Sequence, residues 1–187
     1  MNSETNLSNH FLIAMPTLQD ADFYRTVTYI CEHDEQGAMG IIINRPLDLE
    51  LADILEQMEI RPNTPEAIHQ PVFSGGPVQT ERGFVLHTSN KSWDATNQIT
   101  ADISITTSKD ILQAIAAGEG PKQSLVALGY AGWGAGQIEQ ELAENTWLSG
   151  PADRHIIFSH PPEQRWRAAA QLLGVDLNLI SGQTGHA

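Results

Sequence analysis

Apolar and polar residues alternate along this chain in short blocks, and most of the blocks have the period of strands. Residues 11–15 are continuously apolar and predict a buried strand stopped by Pro16, with a loop or single helical turn over 18–23. From residue 25, Val27, Tyr29 and Cys31 alternate with Thr26, Thr28 and Ile30, a run rich in strand formers. Residues 33–37 supply a turn and 39–44 return as the second arm of a hairpin. Asp48 predicts an N-cap, because Leu51, Ile54, Leu55 and Met58 follow at the spacing of an amphipathic helix.

Pro62, Pro65 and Pro71 mark a loop. Residues 72–78 predict a strand broken by Gly75 and Gly76, residues 79–82 a turn, and 83–87 another strand. After a polar loop over 91–97, residues 99–106 have the alternation of a half-exposed strand, and Ser108 caps a short helix ended by Gly118. Residues 125–128 predict a strand buried on both faces, which turns through Gly129, Gly132, Gly134 and Gly136 into an acidic helix. Residues 155–159 predict a last strand. Pro161 and Pro162 then open a helix that buries Trp166, Ala170 and Leu173 and stops at Gly174. Strands outnumber helices and pair through short turns, which predicts fold class α+β, with one domain over 11–187 behind a disordered arm over 1–10.

Composition narrows the function. The 187 residues are 41% hydrophobic, enough for a substantial core, and carry 23 acids against 10 bases for a net charge of −13. Nucleic-acid affinity draws on clustered cations, and the densest basic group is Arg154, Arg165 and Arg167, so direct DNA binding is disfavoured. Cys31 is the one cysteine, which rules out an intrachain disulfide and fits a reducing compartment. Glu4 and the absence of an early base argue against a signal peptide, and no apolar run approaches membrane length, so the expected location is the cytoplasm, with no membrane partner.

Candidate chemistry is sparse. The glycines at 132, 134 and 136 do not make a phosphate-binding fingerprint, and Glu139, Glu141 and Glu144 behind them would repel an anion, so the expected role is close backbone packing. Cys31 and His33 lie two apart, which on a regular strand puts both on one face, though too far apart to touch. His33, His87, His155 and His160 show no metal-ligand spacing, and Ser74 lacks the nucleophile elbow. No catalytic residue, metal or cofactor is expected.

The strings at 11–16, 37–46, 73–78, 82–87, 128–142 and 145–148, in that order, are similar to the AlgH/YqgE family over nearly the whole chain. The resemblance implies a single α+β domain whose bifurcated, partly barrel-like mixed sheet is surrounded by helices. It implies a transcriptional regulator, and carries over no catalytic residues. With the acidic composition, this points to action through protein partners, while a metabolite- or nucleotide-binding protein or enzyme remains the alternative. The family strings place Glu32, His33, Asn44, Arg45, Ser74, Gly75, Gly76, His87, Trp133, Gln137 and Glu141 at strand ends or adjoining turns. Two expectations stand side by side: that these residues line one concave pocket, or that they hydrogen-bond one another to close an irregular sheet.

Overall fold

A computed structural model describes residues 6–63, 65 and 67–184. The predicted hairpin is present as β2 (Val27–Asp34) and β3 (Gly37–Ile42), preceded by β1 (His10–Ala14). Residues 1–5 of the expected arm lie outside the described residues, whereas Leu7 is buried and Asn9 N–H donates to the Ile30 carbonyl. Residues 46–50 form β4 (Pro46–Glu50), a strand that the sequence did not suggest, and α1 (Leu51–Gln57) follows. The helix cap is therefore Glu50, not Asp48. Glu50 and Asp53 make a reciprocal capping box, with Glu50 N–H donating to Asp53 Oδ2 at 2.8 Å.

β5 (Pro71–Ser74) is followed by β6 (Val78–Thr88), which absorbs the turn expected at 79–82 as a bulge. Its pairing jumps from Val78 opposite Tyr130 to Gly83 opposite Leu128, and Gln79 takes φ 48°. The half-exposed strand expected over 99–106 is instead a hairpin of β7 (Thr96–Gln98) and β8 (Ile103–Thr106). Ile99 and Thr100 N–H both donate to the Ile103 carbonyl, and Thr100 Oγ1 accepts from Asp102 and Ile103 N–H, so this stretch turns, and all of β8 is buried. In α2 (Asp110–Ala116) Lys109 holds the N-cap position; Ser108 instead donates to Asp110 and accepts from Ala95 N–H.

The apolar run at 125–128 does not turn at its glycines. It continues as β9 (Ser124–Gly134), an 11-residue strand, and the chain turns only at Gly136, whose φ of 73° opens α3 (Gln137–Ala143). β10 (Trp147–Pro151) then pairs with β1. The strand expected at 155–159 is the short helix α4 (Arg154–Phe158), where Asp153 accepts from His155 N–H and Ile156 and Ile157 are both buried. An apolar run that short does not distinguish strand from helix; the upstream cap does. α5 (Arg165–Leu172) buries Trp166 and Ala170 as expected, Gly174 stops it at φ 76°, and α6 (Leu177–Thr184) is the last of the described elements.

The strands join in the order β10-β1-β2-β3-β9-β6-β8-β7, with β5 on β9 and β4 on β5. The result is a single α+β domain around a curled, half-barrel sheet, and β9 is its spine. Along one edge β9 pairs first with β5, through Val126–Leu128, then with β3, through Ala131–Gly134; along the other it pairs with β6. The chain must therefore cross over β9 between β5 and β6, and it does so at Gly75–Gly76–Pro77. A Cβ on Gly75 would lie 2.4 Å from the Gly129 carbonyl oxygen, and one on Gly76, at φ 153°, 2.1 Å from the Tyr130 carbonyl carbon. Only glycine permits that crossing.

Side chains from β9 enter three apolar clusters. Leu125 and Ala127 face the barrel interior with Phe11, Tyr29, Ile41 and Trp166; Ala131 and Trp133 pack under α3; Val126 packs under α1 and α2. Each fully buried large apolar side chain contributes about 1.5–3 kcal/mol before entropy is counted, and each alanine methyl about 0.8 kcal/mol.

Candidate functional site

Beyond Tyr130 the sheet forks. β9 stays with β3, while β6, β8 and β7 diverge, and the two limbs enclose a cleft of about 870 Å³. Met39, Phe84 and Tyr130 form its apolar floor, the last two rings meeting edge to face at 5.6 Å. Glu32 and Asp34 stand on the β2 side, Asn97 and Gln98 on the β7 side, and the Arg82 guanidinium lies 5.3 Å over the Phe84 ring.

A bulge in β2 shapes one wall. Ile30 pairs with Gly40 and Glu32 with Met39, leaving Cys31 as the extra residue. The side-chain phase shifts there, so Cys31 and Glu32 fall on the cleft side and His33 on the opposite face. The single-face placement expected for Cys31 and His33 is thus overturned. Cys31 is 4% exposed, and burial, with the Glu32 charge adding, pushes its thiol well above the ordinary range, so it is a packed apolar group and no thiolate nucleophile. His33 Nδ1 accepts from Leu7 N–H at 2.9 Å, which places the ring proton on Nε2, where it donates to Glu139 Oε2 at 3.2 Å.

Of the residues the sequence singled out, Glu32 and Trp133 line the cleft. The rest are placed elsewhere, engaged in holding the sheet. Asn44 accepts from Val27 N–H and donates to the Arg25 carbonyl; Arg45 donates to the carbonyls of Ala21, Asp22 and Tyr24 at 2.8–3.0 Å. Ser74 N–H donates to the Arg45 carbonyl beside the Gly75–Gly76 crossing. Under α3, the indoles of Trp133 and Trp147 both donate to Glu141 Oε1 at 3.0 Å; Gln137 donates to Glu141 Oε2 and accepts from Gly134 N–H.

His87 is fully buried in a polar chain. Nδ1–H donates to the Thr88 carbonyl at 2.8 Å, and Nε2 accepts from Thr106 Oγ1 at 2.7 Å, which accepts in turn from Thr96. Burial lowers its pKa, the Thr88 bond partly opposing. Arg165 is buried too, donating to the carbonyls of Ile43 and His160 and stacked 5.2 Å over Phe73; burial lowers its pKa to about 10, against the pull of Glu163.

Arg82, Phe84, Met39, Asp34, Asn97 and Gln98 are among the cleft residues that the sequence did not point to. Arg82 and Phe84, like Glu32 and Asp34, are two apart on one strand, a signal that they share a face. That the two pairs meet across β9 follows from the fork. The cleft offers carboxylates, carboxamides and one guanidinium over an apolar floor, a chemistry suited to binding.

A family model described as AlgH-like matches residues 11–178. A UPF0301 protein of Thioalkalivibrio sulfidiphilus is 59% identical, covering 100% of both chains. The UPF0301 protein AlgH of Pseudomonas aeruginosa is 54% identical over 99% of this chain and 98% of its own. The solution structure of the Pseudomonas aeruginosa AlgH protein matches with a TM-score of 0.80 at 53% identity, covering 100% of this chain and 99% of that one. A crystal structure from Corynebacterium diphtheriae shares the fold, with a TM-score of 0.76 at 19% identity over 97% and 94% of the two chains.

Proposed function

The chain belongs to the AlgH-like family, and from that premise we propose that it regulates transcription through protein partners, which dock at the cleft in the forked sheet. One observation carries the indirect mode of action: where the positive charge goes. Arg45 is consumed by backbone carbonyls and Arg165 is buried. Arg25 and Arg167 lie over Trp166, Arg154 pairs with Asp102, and Lys91 donates to the Glu119 carbonyl. Arg82 lies over Phe84 and donates to Gln79 Oε1, and Arg61, Lys109 and Lys122 remain, on three separate segments. A surface of this kind, at net charge −13, attracts basic proteins and repels polyanions.

Two measurements test the reading. Titration of the protein against promoter DNA between about 50 and 200 mM salt is expected to show no tight, salt-steep binding. In cells lacking the gene, wild-type protein is expected to restore the transcript profile and a Glu32→Lys, Asp34→Lys variant is not. Tight DNA binding, or full rescue by that variant, overturns it.

A second reading has its own support. At about 870 Å³ the cleft falls within the usual range of small-molecule sites, so a metabolite or nucleotide is the competing occupant. A thermal-shift screen of such compounds separates the two, since a bound ligand raises the unfolding midpoint.

A further inference from the structure

We propose that the occupant of the cleft is an extended, basic segment of a partner protein, which adds as a strand to the open edge of β9 at Gly132. The proposal rests on the reading of the cleft as a partner-docking site and supplies the chemistry of what docks there.

The edge is open because the sheet forks. On its β6 side, β9 is paired only as far as Tyr130, where the chain crosses over it at Gly76–Pro77. Gly134 N–H is taken by Gln137 Oε1 at 2.9 Å, so it points away from β3. Polar groups alternate along an antiparallel ladder, and Gly132, two residues earlier, therefore also directs its N–H and C=O away from β3, toward the cleft. Gly132 is exposed, and a Cβ built on it would meet only the Tyr130 ring, at 3.4 Å. Backbone is thus presented bare, at a strand edge, in a cleft it lines. Sheet edges are ordinarily protected by lysine, proline or cover, and no lysine lines this one.

Charge and floor specify the segment. Glu32 has no hydrogen-bond donor among the described residues, and Asp34 stands two residues along the same strand, while Arg82 is already seated over Phe84. Two carboxylates at the rim favour cationic side chains. The floor of Met39, Phe84 and Tyr130 favours apolar ones. A strand offers both at once, because successive side chains point to opposite faces. Main-chain bonds to Gly132 would then give affinity, and the alternation of basic and apolar side chains specificity.

The test uses the ¹⁵N-labelled full chain and three capped hexapeptides: alternating lysine and valine, alternating glutamate and valine, and the lysine peptide methylated on alternate backbone nitrogens. The lysine peptide is expected to shift the Gly132 amide resonance and to slow its hydrogen exchange about tenfold or more. The glutamate and methylated peptides are expected to bind about tenfold more weakly or not at all. Gly132→Ile fills the strand face from a position with room for it, and is expected to abolish binding while leaving distant resonances in place. A Glu32→Gln, Asp34→Asn variant is expected to weaken binding and flatten its salt dependence. No binding by the lysine peptide, binding that leaves Gly132 unmoved, or equal binding by the methylated peptide overturns the proposal. If those results come with a transcript profile that still requires Glu32 and Asp34, strand addition fails and the partner-docking reading survives. A Gly132 shift in a protein whose loss leaves transcription unchanged has the opposite meaning.

Discussion

At the scale of single residues, Gly76 and Gly132 are 56 positions apart in sequence and opposite in tolerance. A methyl on Gly76 would sit inside the Tyr130 peptide, whose atoms belong to the spine strand and cannot retreat. Gly76→Ala is expected to cost about 3 kcal/mol or more in urea unfolding, and Gly132→Ala to fall within about 1 kcal/mol of wild type. His87 makes a different kind of claim. Its folded pKa lies below the ordinary value near 6.5, because burial penalises the imidazolium. Between those two values the unfolded chain holds a proton that the folded chain does not, so stability is full above about pH 6.5, falls as the pH drops, and levels off below the folded pKa. The slope from this group cannot exceed about 1.4 kcal/mol per pH unit, and comparison of wild type with His87→Gln between pH 7 and 5 isolates it. The variant is expected to lose that component.

Among the elements, α4 rests on a cap. Asp153 accepts from His155 N–H at 2.8 Å, and Asp153→Ala is expected to destabilise the protein by about 1 kcal/mol, read from the urea midpoint at unchanged slope. The same helix shows where sequence runs out. Residues 155–159 have the composition of a strand, and only the aspartate ahead of them indicates otherwise. A continuous apolar run revealed β1, which is buried on both faces. Alternation revealed β2, whose Tyr29 and Cys31 face the barrel interior, and the turn after β2 revealed β3 as its hairpin partner; the periodicity of α5 revealed its buried stripe. Alternation could not reveal the bulge at Cys31, since one extra residue leaves no mark on composition yet sends His33 to the far face. For the same reason the polar residues of the family strings were legible as strand ends, but not as separate hydrogen-bonded groups: whether two strand ends converge is decided by register and crossing. The close packing expected of the glycines at 132, 134 and 136 is overturned, since each has room for a Cβ; among the glycines of this stretch it is Gly129 that packs closely, against the Gly75–Gly76 crossing.

On the scale of the molecule, the cleft exists only because two sheet limbs share one strand and diverge from it. Its geometry is as firm as the joint between them. β9 supplies side chains to all three apolar clusters, so neither limb keeps a complete core when β9 leaves. α5 adds a second tie: Arg165 donates to the Ile43 carbonyl and Trp166 to the Ala14 carbonyl on one limb, while Trp166, Ala169 and Ala170 share the interior cluster with Phe84, Leu86 and Ile105 of the other. Two limbs tied in this way are expected to unfold together. Trp133 and Trp147 report on the limb under α3, and Trp93, packed by α1 and α2, on the other. Single-tryptophan variants retaining Trp147 or Trp93 should therefore give urea transitions that coincide with each other and with far-ultraviolet circular dichroism. Separate transitions would mean that the limbs open independently, and then the fork would be a hinge whose cleft a partner must first assemble. Coincidence means that the open edge at Gly132 stands ready in the free protein, and that docking there need not meet the cost of folding a limb first.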